Sequence, residues 1–358
     1  MRCGHGESKA RGTEIMSLDR ERIQRLYESL ASRSGDINDE WLKNSDDLYV
    51  ALERMEAEIG KAVVGKSHII RQVITAILAG GHVLMEDVPG VGKTTLAVAL
   101  SRVMGMEYHR MQFTPDVMPS DVVGFCVYNR ETGEKEYVPG SVMCNLFLAD
   151  EINRTSSKTQ SSLLEVMEEG SVTVDGVTRH VPQPFIVIAT QNPVGAAGTQ
   201  MLPDSQLDRF MIRVSIGYPS GEQEIRMMKD RKSGNPLDDV RTVMSADDLF
   251  VLRRLAEAVV VDDRLYGYVT ELVNATRSHD MLSLGISPRG SLAVIAMAKA
   301  NALIRGRGYV VPDDISSVFA VTTAHRVMLT PIARMNRVSE MEIMAQVLSS
   351  VVPPRIFG

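Results

Sequence analysis

The chain has 358 residues, a formal net charge of −6 at pH 7, 44% apolar residues and 5% aromatic ones. That length suggests about two domains with a substantial core, and the acidic balance disfavours a broad nucleic-acid or membrane surface, although a local basic face stays open. Three scattered cysteines, Cys3, Cys126 and Cys144, exclude a disulfide framework or a zinc spacing and fit free thiols in a reducing cytoplasm; no apolar run is long enough to span a bilayer, and residues 1–13 lack the apolar centre of a secretory signal.

Residues 1–17 are polar and aperiodic and are expected to be disordered. Ile23, Leu26, Tyr27 and Leu30 then mark one face of a helix, which ends near Gly35. Helices are expected over 46–59 and 67–79. Between them, Val63-Val64-Gly65 reads either as a plain turn or as the apolar segment that lines an adenine site, and the pattern leaves both open. The run Val83-Leu84-Met85 leads into residues 86–95, Glu86-Asp87-Val88-Pro89-Gly90-Val91-Gly92-Lys93-Thr94-Thr95, and helical spacing of Leu96, Ala99, Leu100 and Val103 follows. Strand, glycine loop and helix together make a cradle for a nucleoside triphosphate. Gly90 and Gly92 let backbone N–H groups turn toward the phosphates, Lys93 reaches the β- and γ-phosphates, and the Thr94 hydroxyl can ligate Mg²⁺. Val91 and Thr95 complete the stretch expected to touch the nucleotide. Asp87 stands where the usual motif has its first glycine, and an ordinary turn is the plain alternative.

A second strand is expected at Met111-Gln112-Phe113. Residues 122–127 and 136–138 alternate weakly around a polar turn at 129–134, which reads as an inserted hairpin. Leu146-Phe147-Leu148-Ala149 is the continuous apolar run of a buried parallel strand, with Asp150 and Glu151 at its carboxyl end, where ligands bind in open α/β sheets. Asp150 would hold Mg²⁺, directly or through water, and Glu151 would act as general base on the attacking water. Acids are also common where a strand runs into a helix N-terminus. A helix over 159–169 turns Leu163, Leu164 and Met167 inward, and Asp175-Gly176 joins residues 171–174 to 177–181 as a second hairpin. Phe185-Ile186-Val187-Ile188-Ala189 is another buried strand, ending in Thr190-Gln191-Asn192. Asn192 can reach a γ-phosphate or the attacking water, although an Asn before Pro193 is also a common turn former. A strand over 211–215 follows Asp208-Arg209-Phe210. Beyond Tyr218-Pro219-Ser220 the pattern is helical only. Leu265, Val269, Leu272 and Val273 share a face, Ser287-Pro288 opens a helix, and Leu292, Ile295, Ala296, Ala300 and Leu303 follow at helical spacing up to Gly306. Pro312-Asp313-Asp314 opens the next, with Ile315, Val318 and Phe319 inward.

Together these stretches resemble the MoxR-type AAA+ ATPases. The matching segments are residues 86–95, Gln112-Phe113-Thr114-Pro115-Asp116, 148–154, 158–169, 189–193, 202–210 and Ser287-Pro288-Arg289, in the family's order, covering nearly everything from about Val64 to Arg326. The block Ala149-Asp150-Glu151-Ile152-Asn153-Arg154 followed by Lys158-Thr159-Gln160 is particularly family-like, and Asp87 looks like a variation of the same family. The resemblance implies an α/β fold: a P-loop AAA+ parallel-sheet core with helix-2 and pre-sensor hairpin insertions, followed by an all-α lid domain. The chain would divide into an N-terminal extension (1–45), an ATPase core (46–219) and a helical lid (220–358). ATP and Mg²⁺ are the implied cofactors. The implied partners are a homo-oligomer, usually a hexameric ring with ATP between neighbours, a von Willebrand factor A domain protein and a client enzyme. Arg209 would be the arginine finger that reaches a neighbour's γ-phosphate; an internal ion pair with a carboxylate such as Asp204 is its structural alternative. Arg289 would be the second sensor, coupling the lid to nucleotide state. The two hairpins would line the pore or face the client. The expectation is a cytoplasmic, Mg²⁺-dependent ATPase that remodels a partner protein without membrane insertion. A chelatase-type motor subunit shares these motifs and stays open. A nucleic-acid-directed AAA+ motor is disfavoured by the acidic balance and the lack of a basic–aromatic groove. A scaffold that binds ATP without hydrolysing it is disfavoured by the intact Glu151 and Asn192.

Overall fold

The computed structural model describes residues 45–131, 133–192, 202–230 and 234–355. The helix expected around Leu26, and Pro193, lie outside them. The described chain forms two compact units, Met55–Ala246 with Ala324–Arg326, and Asp247–Thr323 with residues from Val327 onward and the start of the first helix.

Among its described residues the first unit holds nine strands: β1 (Val83–Glu86), β2 (Tyr108–Gln112), β3 (Gly124–Tyr128), β4 (Lys135–Pro139), β5 (Leu146–Asp150), β6 (Ser171–Val174), β7 (Val177–His180), β8 (Ile186–Gln191) and β9 (Ile212–Val214). Five of them form one sheet in the order β2-β5-β8-β1-β9, and every pairing in it is parallel. All residues of β5 and β8 are buried, which is why their sequences read as apolar runs up to the polar residues at their carboxyl ends. β2 is an edge strand with its side chains half-exposed or exposed. The sequence pattern placed this strand too late: it is Tyr108–Gln112 rather than 111–113, because an edge needs no apolar run. Phe113 follows it, buried, and donates its N–H to the Asp150 carbonyl (2.8 Å). One sheet face, through Leu84, Phe147, Ala149, Val187 and Ala189, packs on Phe113, Leu163, Leu164 and Phe210.

The helices of this unit are the end of α1 (Ser45–Ala62), α2 (Ser67–Leu78), α3 (Lys93–Val103), α4 (Pro119–Val123), α5 (Ser157–Glu169), α6 (Asp204–Leu207) and α7 (Gly221–Asp230). Ser156 caps α5 by accepting from the Thr159 N–H (3.3 Å), and Leu163, Leu164 and Met167 are buried as their spacing predicts. Both inserted hairpins form. In the first, Val122 and Val123 belong to α4 rather than to a strand, and β3 begins at Gly124. Its φ of 90° and the Val138 carbonyl, 2.4 Å from where a Cβ would lie, require glycine there. In the second, Asp175 and Gly176 both have positive φ (51° and 77°), the left-handed pair of a two-residue hairpin turn. The hairpins touch through Lys135 and Asp175 (2.9 Å) and through the Arg179 guanidinium, 4.1 Å from the centre of the Tyr137 ring.

The second unit contains α8 (Ala246–Ala258), α9 (Asp263–Arg277), α10 (Pro288–Ile304), α11 (Pro312–Thr323), α12 (Pro331–Met335) and α13 (Glu340–Ser350). A short antiparallel ladder, β10 (Leu282–Leu284) with β11 (Met328–Leu329), joins them; its strands are too brief to show alternation. The inward face of α10 carries Ala293, Val294, Met297 and Ala298. Leu292, the first of the residues at helical spacing, is 73% exposed. Ala300 and Leu303, placed by the same periodicity, are buried. Buried Asp314 ties the start of α11 to α10 and the loop after it. It accepts from Arg307 Nη1 (2.7 Å), Asn301 Nδ2 (2.9 Å) and the Val311 N–H (2.9 Å). No described helix is long and apolar enough to cross a membrane.

Candidate functional site

The loop between β1 and α3 turns on Gly90 and Gly92, with φ of 87° and 98°. No heavy atom lies within 4 Å of a Cβ added at either, so the requirement is conformational rather than steric. Lys93 opens α3 and is buried. Its Nζ donates to the Asp87 carbonyl (2.7 Å) and to Asn192 Oδ1 (3.2 Å). Burial lowers the Lys93 pKa, while Asp87, Asp150 and Glu151 oppose that shift and favour the charged form. Thr94 follows, half-buried.

The carboxyl end of β5 lies beside that of β8, and Thr190 ties the two acids of the first to the second. Its hydroxyl donates to Asp150 Oδ1 (2.7 Å) and accepts from the Glu151 N–H (2.8 Å). From the edge strand, Arg110 donates to Asp150 Oδ2 (2.7 Å). Glu151 is left-handed, with φ 57° and ψ 47°, a conformation that costs a non-glycine residue about 1–2 kcal/mol. Its side chain is held at both oxygens. Oε2 accepts from Arg154 Nη1 (2.8 Å) and Oε1 from Asn192 Nδ2 (3.1 Å). Asn192 thus bridges Lys93 and Glu151, its amide oxygen facing the ammonium and its amide nitrogen the carboxylate.

Beside the loop lies a cavity of about 530 Å³. Val64, Gly90, Val91, Gly92 and Thr95 line it, as does a strap at 216–219 and, on α7, Met227 and Met228. Val64 therefore faces a cavity; it is not merely part of a turn. Arg209 lies elsewhere. Its Nη1 donates to the Leu164 carbonyl (2.9 Å) and sits 3.3 Å from Glu168 on α5, rather than on Asp204. The segment carrying it is gripped by residues distant in sequence. Buried Arg326 donates to the carbonyls of Asp208 (2.7 Å) and Phe210 (2.7 Å) and pairs with the Asp208 carboxylate. His325 Nε2 lies 3.0 Å from the Phe210 carbonyl. Arg289 is in the second unit, exposed in the first turn of α10, whose N-cap Ser287 accepts from the Gly290 N–H (3.2 Å).

Residues 82–212 match the ATPase family associated with various cellular activities (AAA), and residues 274–347 match the AAA lid domain. YeaC of Bacillus subtilis is 46% identical over 86% of this chain and 97% of its own length. Chaperone MoxR1 of Mycobacterium tuberculosis is 38% identical over 85% of this chain and 83% of its own. The chain belongs to the MoxR family of AAA+ ATPases. A crystal structure from Cytophaga hutchinsonii, of a chain assigned as an ATPase, superposes on this MoxR-family chain with a TM-score of 0.81 at 36% identity, covering 87% of this chain and 97% of that one. The parallel sheet, the phosphate loop and the helical second unit are the AAA+ architecture that the motifs implied.

The structure brings Lys93, Asp150, Glu151 and Asn192 into one hydrogen-bonded cluster and sets Arg209 outside it. The sequence reading assigned no role to Arg110, Arg154, Thr190, Arg326 or the 216–219 strap. Arg154 and Thr190 sit inside stretches already singled out, so a signal existed. Arg110 and the strap carry none, since nothing local marks an edge-strand arginine or a linker as part of a site.

His325 yields a pH prediction. It is buried, and that burial, with the charge of Arg326 nearby, holds its pKa well below 6.5. It is neutral when folded and gains a proton below about pH 6.5 when unfolded, so the unfolded chain binds the extra proton. Its contribution is therefore complete above pH 6.5 and is lost as pH falls, by about 1.4 kcal/mol per pH unit. Denaturant unfolding at pH 7.5, 6 and 5 should show a shallower loss of stability in His325→Gln than in the wild type; equal slopes would contradict the assignment.

Proposed function

We propose that this chain is a Mg²⁺-dependent ATP phosphohydrolase that works as a ring-forming, chaperone-like motor on a partner protein. The observation that carries the reading is the linked series Lys93–Asn192–Glu151 beside Asp150, at the carboxyl ends of adjacent parallel strands. Ligands bind at that end of an open α/β sheet, and the helix that Lys93 opens offers its N-terminal N–H groups to phosphate. Lys93 would leave the Asp87 carbonyl and Asn192 for the β- and γ-phosphates, since charge-assisted bonds to phosphate oxygens are the stronger. That exchange frees Asn192 to meet the γ-phosphate or the attacking water, and Glu151 accepts the proton of that water.

Magnesium suits the donors. Among the described residues no group of three or more His, Cys, Asp or Glu could hold a metal ion unaided. The Thr94 hydroxyl would bind it together with phosphate oxygens and water, the oxygen-rich, partly hydrated shell that Mg²⁺ prefers. Each Asp150 oxygen accepts one hydrogen bond and keeps a second lone pair, so Asp150 would hold the ion directly or through water. The ion would supply charge neutralisation across the β- and γ-phosphates. Val64 and the rest of the cavity wall would take the base. Arg209 would act on the γ-phosphate of a neighbouring subunit in a hexameric ring, and Arg289 would serve as the second sensor. MoxR1 is named as a chaperone, and the same work fits here, with a von Willebrand factor A domain protein and a client enzyme as partners.

Colorimetric phosphate release with Mg·ATP tests the reading. Purified wild-type chain should turn over ATP in a manner abolished by EDTA, and Lys93→Ala should lose at least about 100-fold in kcat/KM, since the ammonium contacts the phosphates throughout. Undiminished turnover by Lys93→Ala would overturn it.

A further inference from the structure

Asp87 replaces the first glycine of the phosphate loop and is buried, 7% exposed. Its carboxylate accepts from Ser215 Oγ (2.9 Å), the Gly217 N–H (3.2 Å) and the Ile216 N–H. Its main chain faces the other way in function. The Asp87 N–H donates to the Gln191 carbonyl (3.3 Å), and the Asp87 carbonyl accepts from Lys93 Nζ (2.7 Å). One residue therefore grips the phosphate-site lysine with its backbone and residues 215–217 with its side chain. Ile216, Gly217 and Tyr218 line the 530 Å³ cavity, as do Gly90 and Gly92. Gly217 turns the strap with φ 64°, and the Tyr218 carbonyl accepts from Lys66 Nζ (2.9 Å) on the loop next to Val64.

A glycine at position 87 would keep both main-chain bonds but would leave two N–H groups of the strap without that acceptor. None of the carboxylate's hydrogen bonds goes to the phosphate loop; they go to Ser215 at the end of β9 and to Ile216 and Gly217 of the strap. We propose that Asp87 is a positioning residue that couples the phosphate loop to the base-binding wall, holding the strap at the separation that lets one nucleotide engage both. This rests on the nucleotide-binding reading above.

The test compares Mg·ATP with Mg·tripolyphosphate, which has the phosphates but no base or ribose. Both are measured by displacement of a fluorescent ATP analogue from the full-length wild type, Asp87→Ala and Asp87→Asn. The ratio of the two affinities isolates the contribution of base and ribose. In Asp87→Ala the ratio should fall about tenfold, the equivalent of one hydrogen bond of about 1.4 kcal/mol, with tripolyphosphate affinity changed less than about threefold. Asp87→Asn keeps one acceptor oxygen without the charge and should fall between; it carries the test if the alanine variant does not fold. An unchanged ratio, or an equal loss for both ligands, overturns the coupling. A wild type that binds neither ligand would refute the nucleotide site itself, whereas a wild type that binds both with a ratio insensitive to residue 87 refutes only the coupling.

Discussion

Glu151→Gln is expected to lower kcat for ATP hydrolysis by about 10²–10⁴-fold, the usual worth of a positioned general base, while ATP affinity stays within a few-fold. The isosteric amide keeps an acceptor oxygen for Asn192 or Arg154, so the packing around the left-handed turn at Glu151 survives. Only the ability to take a proton is removed. Two further consequences separate this from general damage. The variant should retain ATP through gel filtration when the wild type releases ADP. It should also accumulate in whatever assembled form ATP favours, visible as a rise in particle mass with ATP that ADP does not produce. Single-turnover hydrolysis near the wild-type rate would remove Glu151 from the reaction and leave the Arg154 and Asn192 bonds as purely structural.

Much of this cluster was legible because its residues lie on strands buried on both sides. Residues 146–149 and 185–189 read as unbroken apolar runs, so the polar residues that follow them, Asp150, Glu151 and Asn192, fell at one edge of the sheet. Asp175-Gly176 was legible for a different reason, since few sequences accept two consecutive positive φ angles. What stayed hidden is contact between segments far apart in the chain. Asp87 finds Ser215 across 128 positions, and Arg326 finds Asp208 across 118; neither span leaves a local pattern. The partner of Arg209 was misplaced for the same reason. Proximity in sequence pointed to Asp204, but Asp204 opens the short helix α6 of its own segment, while α5 brings Glu168 and the Leu164 carbonyl to the guanidinium.

Arg209→Ala is the sharper experiment, because the structure gives the arginine an alternative occupation. As an internal ion pair it would matter for stability only. The two side chains are 31% and 41% exposed, and a pair so open to solvent is worth about 1 kcal/mol at most. As an arginine finger it would matter for turnover, where a guanidinium acting across a subunit boundary is worth about 10³–10⁵ in rate. The expected result is a kcat reduced by that factor, an ATP affinity within about threefold of wild type, and an unfolding midpoint shifted by no more than a few degrees. Mixing then assigns the direction of the contact. Lys93→Ala subunits cannot use ATP but still carry Arg209, and Arg209→Ala subunits bind ATP without a finger. Combined, they should regain activity that neither has alone, which no intramolecular role for Arg209 produces. A normal kcat with a lowered midpoint would assign Arg209 to the Glu168 pair alone. A finger role also requires Arg209 to leave Glu168 on assembly, while Arg326 keeps the flanking carbonyls of Asp208 and Phe210 fixed, so that the side chain moves and its backbone does not.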